Sequence, residues 1–236
     1  MIDIHCHILP AIDDGPKTID ESLRMCKMAA SDGIETIVAT PHINKDTYKT
    51  DSKDVLKKVK ELNSLLKKEK INLKVLCGND VHIQPNLLED IKSNKVLTVN
   101  NRKKYIILEL PSESVPFYVE EVVGQLKKSR IVPIISHPER NFQIQRNTKI
   151  VEKLIKKGAL IQITAMSVTG GFGSSAQTSA FNLLKKGLVD IMATDAHSVD
   201  KRPPILSAAV AQASEAIDKE GVMDMVYKTP LKIVEA

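Results

Sequence analysis

The 236-residue sequence predicts an α/β protein with a parallel sheet, organised as a β/α barrel of seven units. Three observations predict it. Short aliphatic runs alternate with amphipathic stretches along the chain. The runs are continuously apolar, as in strands buried on both faces, where a half-exposed sheet would alternate apolar and polar positions. Most of them end at a histidine or an acidic residue, and barrels of this class place their chemistry at the carboxyl ends of the strands. Seven units lie close to the eight of a closed barrel.

The first strand is Met1-Ile2-Asp3-Ile4-His5-Cys6-His7, where His-x-His sets two imidazoles on one face of an extended segment. The following loop, 9–16, is too rich in turn formers to be helical and holds Asp13 and Asp14. Thr18 and Glu21 have the spacing of a capping box and open a helix that Gly33 stops. Residues 35–40 read as the second strand, ended by Pro41-His42. An amphipathic helix spans 52–70, with Val55, Leu56, Val59, Leu62, Leu65 and Leu66 at helical spacing. The third strand, 73–77, runs to Gly78-Asn79-Asp80, and a short helix covers 85–93. The fourth strand, 105–110, carries Glu109 among aliphatic residues, a costly burial for an acid without a partner or a metal. A helix over 116–129 leads to the fifth strand, 131–136, which ends in His137-Pro138-Glu139-Arg140. A helix over 147–157, a strand over 159–163 and the loop Gly170-Gly171-Phe172-Gly173 come next; the loop reads first as a plain flexible connection, with a mobile rim or backbone donors to phosphate as the other readings. A helix over 177–186, with Gly187 as its stop, feeds the seventh strand, 188–194, which ends in Asp195-Ala196-His197. Two or three helices complete the chain.

Composition bounds the function. A hydrophobic fraction of 42% supports one continuous core, so residues 1–236 are expected to form a single domain. The net charge of +5 comes from lysines on helix faces; with no Trp and 3% aromatic residues, the stacking platforms of a nucleic-acid binder are missing. No membrane span or signal peptide is legible, which makes the cytoplasm the expected location. Three cysteines without a CxxC spacing argue against disulfides and thiolate zinc. No helix surface announces a dimer interface.

The strand ends and the first loop assemble His5, His7, Asp14, His42, Asp80, Glu109, His137, Asp195 and His197. Each has an ordinary reading taken alone: His42 as a cap, Asp80 in an Asx-turn, Glu109 paired with lysine, His137 as a core histidine. Together they gather five of the six histidines at one end of the predicted sheet. His82 is the exception and is placed on the rim. Nine nitrogen and oxygen donors exceed one ion's coordination and suit two or three ions of Mn, Fe, Zn or Co. Such a site lowers the pKa of bound water and stabilises attacking and leaving oxygens in hydrolysis. Arg140 and Arg202, each a few residues past a ligand, are candidate bidentate partners for phosphate, with ordinary surface arginine as the other reading, stronger for Arg202.

The ordered set His-x-His, Asp13-Asp14-Gly15-Pro16, Thr40-Pro41-His42, His137-Pro138-Glu139-Arg140, Asp195-Ala196-His197 and Arg202-Pro203-Pro204 resembles the PHP (polymerase and histidinol phosphatase) superfamily. It is most similar to the bacterial manganese-dependent protein-tyrosine phosphatases of capsule and exopolysaccharide systems. The resemblance implies a distorted seven-stranded TIM-like barrel, the PHP fold, with Mn2+ at a three-metal site. It implies that the nine residues are metal ligands and that Arg140 and Arg202 bind phosphate. It also implies a substrate, phosphotyrosine on the tyrosine-rich tail of an autophosphorylating bacterial tyrosine kinase, attacked by metal-activated hydroxide. One departure stands out: the third-strand ligand is usually Glu in that family and is Asp80 here, one methylene shorter. The cysteine route of other tyrosine phosphatases is excluded, because the residues six beyond Cys6, Cys26 and Cys77 are Ile12, Asp32 and Ile83, not Arg. The alternatives are a PHP phosphoesterase for histidinol phosphate or a nucleotide, a metal-dependent amidohydrolase, and a non-catalytic partner of the kinase.

Overall fold

A computed structural model describes residues 1–43, 47–48 and 50–236. Among the described residues nine strands form two sheets, and every pairing between them is parallel. One sheet has the order β1-β2-β4, comprising β1 (Ile2–Cys6), β2 (Thr36–Ala39) and β4 (Lys74–Cys77). The other has the order β3-β5-β6-β7-β8-β9. Its members are β3 (His42–Ile43), β5 (Asp80–His82), β6 (Tyr105–Glu109), β7 (Val132–Ser136), β8 (Leu160–Thr164) and β9 (Ile191–Ala193).

The expected seven strands become nine because the second and third each break in two. Pro41 has no N–H to give to a ladder and separates β2 from β3. Gly78 separates β4 from β5 where the backbone passes close to β2; a Cβ there would lie 2.9 Å from Val38 Cγ1. Side chains replace the lost ladder bonds. Thr40 Oγ1 accepts from the Cys6 N–H, and the buried Asn79 donates to Pro41 O at 3.1 Å while accepting from the Leu97 N–H at 2.8 Å. The breaks pass both chains from the first sheet to the second, so no single hydrogen-bonded sheet closes on itself. The sheets also meet where β1 runs beside the segment after β9: the Asp195 N–H donates to His5 O and the His7 N–H to Ala196 O, both at 2.8 Å.

Helices cover the outer faces. α1 (Ile19–Ser31) opens on the expected capping box, with both reciprocal bonds of Thr18 and Glu21 made. α2 (Ser52–Lys68) is capped by Asp51 and buries Val55, Leu62 and Leu66, whereas Leu56, expected inside, is exposed. α3 (Leu87–Lys92) and α4 (Val119–Lys128) follow, α4 starting three residues later than expected. Two short helices had no clear periodic signal: α5 (Phe142–Arg146), capped by Asn141, and α7 (Ala165–Val168). They flank α6 (Lys149–Lys156) and precede α8 (Ser174–Lys185). α9 (Ser207–Ala213), α10 (Lys219–Met223), a π-helical turn and α11 (Thr229–Glu235) complete the chain. No helix among the described residues is long and apolar enough to cross a membrane.

Two apolar clusters result. The larger lies between strands and helices. The smaller gathers Ile2, Ile4, Val38, Leu76, Ile107, Ile134, Ile191 and Ala193 from the strands, closed by Ile233 and Val234 of α11. This inner cluster positions the site. Strand side chains alternate, so two residues on from Ile107, Ile134, Leu160 and Ala193 the same face presents Glu109, Ser136, Gln162 and Asp195. In β1 the register shifts between Asp3 and Cys6, and His5 and His7 join the same ring.

Candidate metal centre

All nine donors named from sequence meet above the inner cluster. Four overlapping groups have ligand atoms within 4.8 Å of one another: His7-Asp14-His42-His197, His5-His7-Asp80, His5-His137-Asp195 and His42-Asp80-Glu109. His5, His7, His42 and Asp80 each serve two groups, so the groups form one continuous cluster. Asp80, in spite of its short side chain, brings Oδ2 to 3.5 Å from His5 Nε2 and 3.4 Å from His42 Nδ1. Asp195 Oδ1 lies 3.3 Å from His5 Nε2 and 3.4 Å from His7 Nε2. Asp14 reaches in from the first loop, 3.3 Å from His197 Nε2. His82 pairs with Glu109 at 3.8 Å and stays at the rim, as the sequence indicated.

The outward-facing ring nitrogens fix the tautomers. His5 Nδ1 donates to Gln162 Oε1 at 2.8 Å, His7 Nδ1 to Asp13 Oδ2 at 2.7 Å and His197 Nδ1 to the Asp195 backbone oxygen at 2.9 Å. In the neutral rings each Nε2 then carries the lone pair, aimed inward, the arrangement of a metal-binding histidine. Neither Gln162 nor Asp13 was singled out from sequence as a site residue. Gln162 had a signal, an amide within the run Leu160-Ile161-Gln162-Ile163; Asp13 had only its neighbour Asp14. Asp13 also accepts from the Gly15 and His42 backbone N–H groups, so one carboxylate orders both the loop and the His42 strand.

The donor set fits metal ions. His5 Nε2 and His7 Nε2 face each other at 3.3 Å, and the buried Asp80 Oδ2 and His197 Nε2 have ion-pair neighbours at 3.3–3.5 Å but make no hydrogen bond of good geometry among the described residues. Buried polar atoms left this way are costly without a shared cation. No sulfur takes part, and oxygen and nitrogen suit Mn, Fe, Zn or Co.

Without cations the cluster shares protons unevenly. Burial lowers the affinity of His5 for a proton, but Asp80 and Asp195 outweigh it and raise its pKa to about 9. His42 behaves alike, rising to about 10 because Asp80, Glu109 and Asp14 overcome burial. His137 falls to about 3 through burial and the nearby Arg140 charge, and His197 to about 4 through burial and His7. Asp80 and Asp195 are held well below the usual carboxylate range; burial opposes this, and the facing histidines prevail.

Two backbone features are invisible to pattern reading. His137 and Asp195, at the ends of β7 and β9, adopt positive φ of 35° and 52°. Left-handed non-glycine residues of this kind gather at functional sites. Beside them, Arg140 Nη1 donates to Asp195 Oδ2 at 2.6 Å and Arg202 Nη2 donates to the same oxygen. A cavity of about 370 Å3 adjoins, its lining including Asp14, His197, Arg202, Pro16, Met25 and Val199.

Fold and site define a parallel α/β protein with a continuous cluster of nitrogen and oxygen donors at its strand ends. The chain belongs to the CpsB/CapC family of capsular polysaccharide synthesis, whose model matches residues 1–235. It is 40% identical to the tyrosine-protein phosphatase YwqE of Bacillus subtilis over 86% of this chain and 79% of that one. It is 38% identical to the putative tyrosine-protein phosphatase CapC of Staphylococcus aureus, over 87% and 80%. A crystal structure from work on YwqE of Bacillus subtilis and CpsB of Streptococcus pneumoniae, described as unique metal-dependent tyrosine phosphatases, superposes with a TM-score of 0.95 at 36% identity. The superposition covers 100% of this chain and 94% of that one.

Proposed function

We propose that this protein is a metal-dependent protein-tyrosine phosphatase of capsule and exopolysaccharide control, acting on an autophosphorylating bacterial tyrosine kinase in the cytoplasm. The observation that carries the reading is the joining of nine donors in four overlapping groups to two guanidinium groups through one carboxylate, Asp195. The relatives' activity supports it. In this reading residues 1–236 are one catalytic domain, and the two sheets work as a single distorted ring of seven strand positions.

His5, His7, Asp14, His42, Asp80, Glu109, His137, Asp195 and His197 would hold two or three ions, Mn2+ in the first place, with Fe, Zn or Co as substitutes. Ions held there supply a nucleophile from water at neutral pH and neutralise phosphoryl charge. The chain's own groups do the rest. Asp13 and Gln162 lock His7 and His5 with Nε2 inward. Arg140 and Arg202 keep N–H donors free after their bonds to Asp195 and present them to the phosphoryl oxygens. A tyrosine leaving group has a pKa of about 10, so its departure demands little help from an acid.

The test is phosphate release from a phosphotyrosyl peptide by metal-stripped protein resupplied with Mn2+, with a His7→Ala variant alongside. Release that depends on Mn2+ and is lost in the variant is expected. A wild-type protein that binds metal yet releases nothing would refute the reading and direct the assay to small phosphate esters.

A further inference from the structure

The loop between α7 and α8 carries an aromatic ring that the proposed chemistry leaves unused. The Cζ atoms of Arg140 and Arg202 lie 4.3 Å and 5.4 Å from the centroid of the Phe172 ring. Both fall within the roughly 6 Å range of a cation–π contact. The same two guanidinium groups converge on Asp195 Oδ2. Two like charges drawn to one oxygen repel each other, and the arginine side chains remain 28% and 23% exposed, so a single carboxylate is a weak restraint on their orientation.

The loop that carries the ring is held by its own backbone geometry. Gly170 and Gly173 adopt φ of +85° and +87°, which side-chain-bearing residues rarely take. A Cβ on Gly171 would stand 2.6 Å from Met166 Cε. The turn is tied by Gly171 N–H to Met166 O at 2.8 Å, by Gly173 N–H to Gly170 O at 3.0 Å and by Gln177 Nε2 to Val168 O at 2.9 Å. Within Gly170-Gly171-Phe172-Gly173 only Phe172 has a side chain to present.

We propose that Phe172 is a positioning residue for phosphate binding, its ring holding the Arg140 and Arg202 guanidinium groups in the shared orientation that receives a phosphoryl group. The inference rests on the phosphatase reading above. A phosphoryl group takes the guanidinium N–H donors that Asp195 leaves free, and the ring face occupies none of them. Phe172 therefore holds the guanidinium planes without using a donor that the phosphoryl group needs.

The experiment compares metal-loaded wild type, Phe172→Leu and Phe172→Tyr, measuring phosphotyrosyl-peptide turnover and calorimetric titration with inorganic phosphate. Phe172→Leu should raise KM and the phosphate Kd in parallel by about five- to tenfold, as loss of cation–π contact implies, with kcat within about twofold. Phe172→Tyr, which keeps the ring, should restore both. Phe172→Met carries the same test should the leucine variant lose thermal stability. Unchanged KM and Kd in the ring-less variants would overturn the proposal. So would a raised KM with unchanged phosphate Kd, since the ring would then touch the peptide and not the arginines. A wild type without turnover refutes the phosphatase reading separately, because the phosphate titration still reports on the arginines.

Discussion

At the scale of single residues, the centre is a set of imidazoles and carboxylates that share protons. In the metal-free protein His5 and His42, with pKa values raised to about 9 and 10, are charged at neutral pH and paired with Asp80. A histidine whose folded pKa is raised contributes stability that is fully present below the unfolded value and is lost as pH climbs through the folded one. Metal-stripped protein should therefore lose stability steadily between pH 6.5 and about 10, read by urea denaturation at a series of pH values. Metal-loaded protein should lack that decline, since bound ions hold the imidazoles neutral throughout. Parallel profiles with and without metal would count against the coordination of these two histidines.

At the scale of elements, the breaks in the second and third strands deliver His42 and Asp80. β3 pairs with β5 so that His42 stands opposite Asp80, and this register exists only because Pro41 and Gly78 let both chains leave the first sheet. Gly78→Ala tests the arrangement. The added methyl meets Val38 Cγ1, a fully buried side chain of the inner cluster, and relieving the contact should cost about 1–3 kcal/mol. Urea denaturation should show that loss, and metal affinity should fall with it because Asp80 lies two residues on. A variant as stable as wild type would show that the crossing of β2 and the β4–β5 break is looser than the contact implies.

At the scale of the molecule, the donors come from both sheets and from the first loop, so ions would bind parts of the fold that no single ladder joins. Ligands that bind only the folded state stabilise it by mass action, about 4 kcal/mol at a thousand times Kd. For a chain of this length that corresponds to a rise in Tm of roughly 10 °C. Calorimetric melting of chelator-stripped protein with and without added Mn2+ should show it. Identical melting curves, with metal content verified, would mean that the ions do not bridge the sheets.

The nine donors were legible because two local rules cooperate: aliphatic runs mark strands, and parallel strands expose the residues at and just beyond their carboxyl ends. The capping box of α1 was legible for the same reason, its signal being three residues apart. Leu56 misled because periodicity names a face without saying how wide a stripe the neighbouring elements cover. The sequence by itself thus determined the alternation of elements, their approximate bounds and which imidazoles and carboxylates gather at the strand ends. Only the tertiary structure decided that Gln162 and Asp13 orient the histidines, that Asp195 turns one oxygen to His5 and His7 and the other to Arg140 and Arg202, and that Phe172 lies beneath both arginines. Periodicity and caps are encoded by residues a turn apart, which a linear reading sees. Contacts between residues separated by scores of positions arise from how every intervening strand packs around the inner cluster, and no local pattern carries that distance.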